Sequence, residues 1–122
     1  MNQKILVADD NSASRELIRE VLEMSGYNVV EAADGQDALS AARANAIDLV
    51  LVDIQMPRLD GYGVLRELRA DPRLCGLPVA ALTAFAMQGD RERALEAGFN
   101  AYITKPVDIA ALRQEIQKLL NL

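Results

Sequence analysis

Five short apolar runs alternate along this chain with five longer segments of helical periodicity, and no other feature restricts its possible folds as much. The runs fall at Lys4–Asp9, Asn28–Ala32, Asp48–Asp53, Val79–Thr83 and Ala101–Thr104. Between the first two, Leu17, Ile18, Val21, Leu22 and Met24 recur at helical spacing, with Gly26 as the stop. Asp34-Gly35 opens a second helix carrying Ala38, Leu39, Ala41 and Ala42. A third begins near Gly61, carries Val64, Leu65 and Leu68, and stops before Asp71-Pro72. The fourth covers Gly89–Ala97 and ends at Gly98, which reads as a left-handed cap. The last begins at Asp108, with Ile109, Leu112, Ile116, Leu119 and Leu120 on one stripe. Strand and helix in strict alternation predict an α/β fold, (βα)5, with a parallel sheet, right-handed crossovers and helices on both faces. The near-continuous apolar character of the first and third runs suits central strands buried on both sides.

Charge collects where these runs end. Ile5-Leu6-Val7-Ala8 leads into Asp9-Asp10, Leu49-Val50-Leu51-Val52 into Asp53, and Tyr102-Ile103-Thr104 into Lys105-Pro106. A buried strand cannot hold an unpaired charge cheaply, so charges gather at strand ends, where they stay solvated or bind something. In a parallel sheet these ends share one edge, the edge at which open α/β sheets place ligands. Hard carboxylate oxygens suit Mg²⁺ or Mn²⁺ and not a soft metal. Without a cation such carboxylates repel by about 4 kcal/mol per pair at ~4 Å and an effective dielectric of ~20. Lys105 adds a compact positive charge, and Thr83 ends the fourth run with a hydroxyl able to donate to a phosphoryl oxygen. Singly, each has an ordinary explanation: Asp10 as turn residue or helix N-cap, Lys105 as a solvated charge, Thr83 as a β-branched strand residue. Four of the five runs end in a polar residue of the required type, and together they describe a site for a divalent cation and a phosphoryl group.

The 122 residues fit one domain spanning 1–122, large enough for a real core. With no histidine and the single Cys75, the usual zinc sets, an internal disulfide and any His general base are excluded. The net charge of −5 argues against direct nucleic-acid binding, which needs clustered Lys and Arg. No apolar run approaches the ~20 residues that span a bilayer. Met1-Asn2-Gln3-Lys4 lacks a signal-peptide layout, so a cytoplasmic location without membrane attachment is expected.

The chain resembles the receiver domain of two-component response regulators. The matching residues are Ile5 to Asn11, Asp53-Ile54-Gln55-Met56-Pro57-Arg58-Leu59-Asp60-Gly61, Leu82-Thr83-Ala84 and Lys105-Pro106, and the likeness extends from Lys4 to Leu120. It implies a flavodoxin-like, doubly wound fold with strand order 2-1-3-4-5. It implies Asp53 as phosphoacceptor, taking a phosphoryl group from a phosphohistidine on a sensor histidine kinase or histidine phosphotransfer protein. Asp10, Asp53 and the Gln55 backbone carbonyl would hold Mg²⁺ (Mn²⁺ being the alternative), with Asp9 binding through water. Lys105, Thr83 and Ala84 would contact the phosphoryl oxygens. Such a loose, in-line transfer needs positioning and charge stabilisation, and an anionic nucleophile needs no general base. The side chains of Gln55 and Phe85 flank the path of an attacking water and are expected to tune the lifetime of the acyl phosphate. By the same resemblance the Lys105-Pro106 bond is cis, aiming the ammonium at the site. Pro57 biases Met56 away from helix, and Gly61 is read as supplying a backbone conformation closed to other residues.

Tyr102 taken alone reads as a half-buried aromatic; the resemblance makes it a switch aromatic coupled to Thr83. The altered surface would then be the fourth helix, fifth strand and fifth helix, including Ala86, Met87, Gln88, Tyr102 and Val107, where a downstream protein target docks. The Ala84-Phe85-Ala86-Met87 loop is either an apolar docking site or a loop packed on its own helix. Ala81 to Met87 resembles receivers of hybrid sensor kinases and single-domain cell-cycle regulators more than those of chemotaxis. Such a chain is not a conventional enzyme, although it catalyses its own phosphorylation and dephosphorylation. A haloacid-dehalogenase-type phosphatase would want a second aspartate where Gln55 stands. A flavodoxin-like cofactor binder would need a Ser/Thr/Gly-rich loop where Asp9-Asp10 stands, and no Walker A or GxGxxG motif is present. A receiver fold kept only as an interaction module, without phosphorylation, is the remaining alternative.

Overall fold

Parallel pairing joins all five strands in the order β2-β1-β3-β4-β5. A computed structural model describes residues 2–84 and 86–120. The elements run β1 (Lys4–Ala8), α1 (Ser12–Met24), β2 (Asn28–Ala32), α2 (Gly35–Ala44), β3 (Leu49–Asp53), α3 (Gly61–Ala70), β4 (Val79–Thr83), α4 (Asp90–Ala97), β5 (Ala101–Thr104) and α5 (Ile109–Leu120). This is the flavodoxin-like doubly wound arrangement. The side-chain alternation of the strands divides the core into two layers. Leu6, Ala8, Val50, Val52, Val79 and Ala81 face α2, α3 and α4, packing on Leu39, Val64, Leu65, Leu68 and Ala94. Ile5, Val7, Leu49, Leu51, Ala80 and Leu82 face α1 and α5, packing on Ile18, Leu22, Leu112 and Ile116. Both faces of β1, β3 and β4 are covered, which is why their sequences are apolar without alternation.

Helix boundaries follow the capping chemistry. Asn11, not Asp10, caps α1 by accepting from the Ser14 N–H; Asp34 and Asp60 cap α2 and α3 in the same way. Asp108 accepts from the amides of Ala110 and Ala111, so α5 begins one residue later than its apparent start. Gly98 ends α4 at φ 117°, in the left-handed region that its residue type permits. Gly89 lies outside α4, and β1 and β3 are each one residue shorter than their apolar runs: β1 stops at Ala8, and β3 starts at Leu49.

Three residues assigned to apolar stripes are exposed: Leu17 and Met24 on α1, and Ile109 on α5. The buried stripe of α1 is Ile18, Val21 and Leu22. Leu17 precedes Ile18 by one residue and is therefore rotated about a hundred degrees off that face. Helix α4 is the least anchored, burying only Ala94, and its N-cap Gly89 offers no side chain to the first-turn amides.

Candidate functional site

Register decides which strand ends meet. Ala8 pairs with Val52 and Asp53 with Leu82, so Asp9 emerges beside Asp53. Thr83 pairs with Thr104, and the Lys105 amide donates to the Thr83 carbonyl at 2.7 Å. Lys105 thus springs from the end of β5, with β4 between it and β3, and its long side chain covers the distance. Its Nζ lies 2.6 Å from Asp9 Oδ2 and 2.7 Å from Asp53 Oδ2. Second oxygens are held from the backbone: the Asn11 amide donates to Asp9 Oδ1 at 2.9 Å, and the Gln55 amide to Asp53 Oδ1 at 2.8 Å. Asp9 is fully buried and Asp53 nearly so, whereas Asp10 is exposed. One oxygen from each of Asp9, Asp10 and Asp53 lies within 4.8 Å of the others.

Burial and pairing compete in this cluster. Burial acts to raise the Asp9 pKa, but the Lys105 ammonium and the hydrogen bonds from Asn11 and Ser14 outweigh it and hold Asp9 below the ordinary carboxylate value. For Asp53 burial wins: despite Lys105 and the Gln55 amide, and with the Asp9 charge adding to it, the carboxyl is pushed up. Lys105 shows the converse, since burial acts to lower it and its two carboxylate partners raise it above the usual ammonium value. An ammonium between two buried carboxylates leaves the trio one negative charge in excess, with exposed Asp10 adding another. A small dication would neutralise that excess. The donor set fits one: carboxylates only, close together, with a buried Asp9 oxygen that lacks a well-aligned hydrogen bond.

The β3–α3 loop is fixed by close packing. The Gly61 amide donates to the Ile54 carbonyl at 2.9 Å, and a side chain on Gly61 would stand 2.7 Å from Ile54 Cα and 2.8 Å from the Asp53 carbonyl. Gly61 is therefore needed for space, not for an unusual φ. The residue in the left-handed region is Arg58, at φ 69°. Gly35 at the start of α2 meets the same loop, its missing Cβ lying 2.3 Å from the Leu59 carbonyl.

Thr83 is buried at the end of β4, and Ala84 is exposed just beyond it. The Tyr102 hydroxyl is buried with the Thr83 side chain beside it, so the ring already points inward in this structure. Tyr102 and Thr83 line a cavity of ≈ 180 Å³ with Ile54, Gln55, Tyr62, Asp90 and Arg93. Gln55 is exposed at the rim of the site; Phe85 lies outside the described residues. The Lys105–Pro106 peptide is cis. The larger groove, ≈ 890 Å³, lies away from the acidic edge, between α4 and α5 with Ala101 and Tyr102 on its floor. Ala86 and Met87 are exposed at the N-terminal approach to α4. Among the described residues no helix is long and apolar enough to cross a membrane.

Two arginines, one beside the site and one at the opposite sheet edge, carry no signal in the strand-end pattern. Arg15 of α1 donates from Nη1 to the Asp9 carbonyl at 2.7 Å and from Nε to Glu31 at 3.1 Å. Arg69 of α3 donates to the carbonyls of Cys75, Leu77 and Gly98 and to Asn100 Oδ1, tying the loops at the opposite sheet edge. Only the helical position of Arg15, one turn after the Asn11 cap, hinted that it could return to the Asp9 backbone.

Known proteins match this arrangement along nearly the full chain. The sequence profile of the response regulator receiver domain covers residues 5–117. The polar-differentiation response regulator DivK of Brucella ovis is 38% identical over 121 residues, covering 99% of this chain and 98% of that protein. The receiver domain of sensor histidine kinase PA1611 from Pseudomonas aeruginosa PAO1, solved with a magnesium ion coordinated in its active-site cleft, superposes with a TM-score of 0.91 at 39% identity and complete coverage of both chains. The chemotaxis protein CheY4 of Vibrio cholerae reaches the same TM-score at 26% identity, covering 98% of this chain and 100% of that one. A parallel five-stranded sheet that gathers three aspartates and a lysine on its carboxyl edge, in a sequence with this likeness, belongs to the response regulator receiver domain family, the signalling modules of two-component systems.

Proposed function

We propose that this chain, over its length 1–122, is a phosphoacceptor receiver: Asp53 takes a phosphoryl group from a phosphohistidine on a sensor histidine kinase or histidine phosphotransfer protein. The observation that carries the proposal is the pairing of a buried Asp53 with Lys105 at 2.7 Å, beside Asp9 and Asp10. An Asp53 oxygen attacks phosphorus as the P–N bond to the donor imidazole breaks, giving an acyl phosphate and a free histidine on the donor. Asp10 and Asp53, with the Gln55 carbonyl and with Asp9 through water, would hold Mg²⁺ or Mn²⁺, and the magnesium in the related PA1611 receiver supports this. That cation, when bound, supplies charge neutralisation for the transferring phosphoryl oxygens. Lys105, released from part of its pairing with Asp53 when that carboxylate is phosphorylated, is free to follow the new phosphoryl oxygens. The Ala84 amide and the Thr83 hydroxyl complete their environment.

Movement of Thr83 toward the phosphoryl group removes the neighbour of the buried Tyr102 hydroxyl. The packing of Tyr102 against the β4–α4 loop then changes, and with it the α4–β5–α5 face, where a downstream protein docks. Because α4 buries a single side chain, a bias of a few kcal/mol suffices to shift its population. Gln55 at the rim, with Phe85, sets the lifetime by controlling water access. The proposed location is the cytoplasm, where such donors operate.

Incubation with Mg²⁺ and acetyl phosphate or phosphoramidate, followed by intact mass measurement, tests the reading. A phosphate-sized gain that disappears in Asp53→Ala is expected. No gain, or one that survives the substitution, defeats it and leaves an interaction module.

A further inference from the structure

The three aspartates are not held alike. Asp9 is fixed by Lys105 and the Asn11 amide, and Asp53 by Lys105 and the Gln55 amide. Asp10 is exposed, and among the described residues neither a hydrogen bond nor an ion pair reaches its carboxylate. Its place is therefore set by the backbone from which it springs. The peptide joining Asp9 to Asp10 is gripped through its carbonyl by Arg15 Nη1, at 2.7 Å. This short distance is typical of a charge-assisted bond. Arg15 is in turn immobilised: its Nε lies 3.1 Å from Glu31 Oε1, while Arg19 Nη1 occupies Glu31 Oε2 at 3.0 Å. Glu31 stands on β2, paired in register with Val7 of β1, so this chain of contacts ends in the sheet itself.

We infer that Arg15 is a positioning residue for cation binding, orienting the Asp9–Asp10 peptide so that Asp10 presents its carboxylate to the cluster. The inference rests on the metal reading above and deepens it. Groups that orient metal ligands from behind matter nearly as much as the ligands, and their loss costs roughly tenfold or more in affinity. The sign of the effect separates positioning from simple charge. Arg15 is itself a cation near the site, so on Coulomb grounds alone its removal would tighten binding of a dication.

The test is Mn²⁺ titration of the metal-free full chain, followed by calorimetry or by the electron paramagnetic resonance of free Mn²⁺. Wild type, Asp10→Asn, Arg15→Met and Arg15→Lys would be compared, with far-UV circular dichroism to confirm folding. Arg15→Met is expected to weaken binding roughly tenfold. Arg15→Lys keeps the charge but cannot hold Glu31 and the carbonyl with the same fork, and should fall between wild type and Arg15→Met. Affinity in folded Arg15→Met equal to or tighter than wild type, while Asp10→Asn remains weak, overturns the positioning role. Unchanged affinity in Asp10→Asn overturns the metal reading itself, and the inference with it.

Discussion

Lys105 faces two buried carboxylates and is itself mostly covered, so its contribution to stability depends on them. Asp9, with its folded pKa below the ordinary value, stabilises the fold once ionised, and that contribution is lost as pH falls through the depressed folded value. Asp53 has the opposite sign. Its raised folded pKa means the folded chain tolerates ionisation less well than the unfolded chain does, so ionisation subtracts stability as pH rises through that value. The raised Lys105 value makes its contribution fully present at neutral pH, to be lost only in strong alkali. Replacing Lys105 by Met leaves two buried anions without their shared partner. The expected loss at neutral pH is about 3 kcal/mol or more, read from urea unfolding. Because both carboxyls would then favour their neutral forms, the deficit should shrink as pH is lowered into the acid range. Added Mg²⁺ should also reduce it. A deficit independent of pH and Mg²⁺ would mean that Lys105 acts through packing alone. Asp9, Asp53 and Lys105 were all legible as strand-end charges. That Asp9 is the buried member and Asp10 the exposed one was not, because adjacent residues in a run differ only in which way the strand turns them.

Among the elements, the β3–α3 loop is wedged between the first turns of α2 and α3. A Cβ on Gly63 would lie 2.4 Å from Leu59 Cδ1, an overlap with the tip of a side chain. A Cβ on Gly35 would lie 2.3 Å from the Leu59 carbonyl, an overlap with backbone. The two substitutions should therefore behave differently when Leu59 is shortened. Gly63→Ala is expected to cost about 1–3 kcal/mol in the native background. In a Leu59→Ala background it should become neutral or stabilising, by up to about 1 kcal/mol, from helix propensity. Gly35→Ala should remain costly in both backgrounds, and a double-mutant cycle from denaturant midpoints measures the contrast. Equal coupling of both glycines to Leu59 would contradict this account. The sequence signalled Gly35 only as a helix start and assigned Gly63 no role. The real constraint on Gly35 is the close approach of Leu59, 24 residues further along the chain, which no local pattern encodes.

For the whole molecule, one cluster joins the carboxyl edges of β1 and β3 to the end of β5, so a ligand there binds the assembled sheet and not the unfolded chain. Mg²⁺ at about a hundred times its dissociation constant should therefore raise unfolding free energy by about 2.7 kcal/mol. Asp10→Asn should abolish most of that increment while leaving metal-free stability nearly unchanged, since Asp10 is exposed. Urea unfolding with and without Mg²⁺ checks both statements. An increment that persists in Asp10→Asn would place the cation elsewhere.

By itself the sequence determined the (βα)5 alternation, the buried central strands and the residue types gathered at one sheet edge. Those follow from periodicity and from the cost of burying charge, both of which act along the chain. Tertiary structure decided what depends on register and on contacts between distant segments. It brought Asp9 beside Asp53, carried Lys105 across β4 to both of them, and turned Leu17, Met24 and Ile109 outward. It also set Arg15 on the peptide that carries Asp10. Hydrogen bonds and ion pairs form wherever the folded backbone brings partners within reach, and that proximity is a property of the packed sheet, not of neighbouring letters.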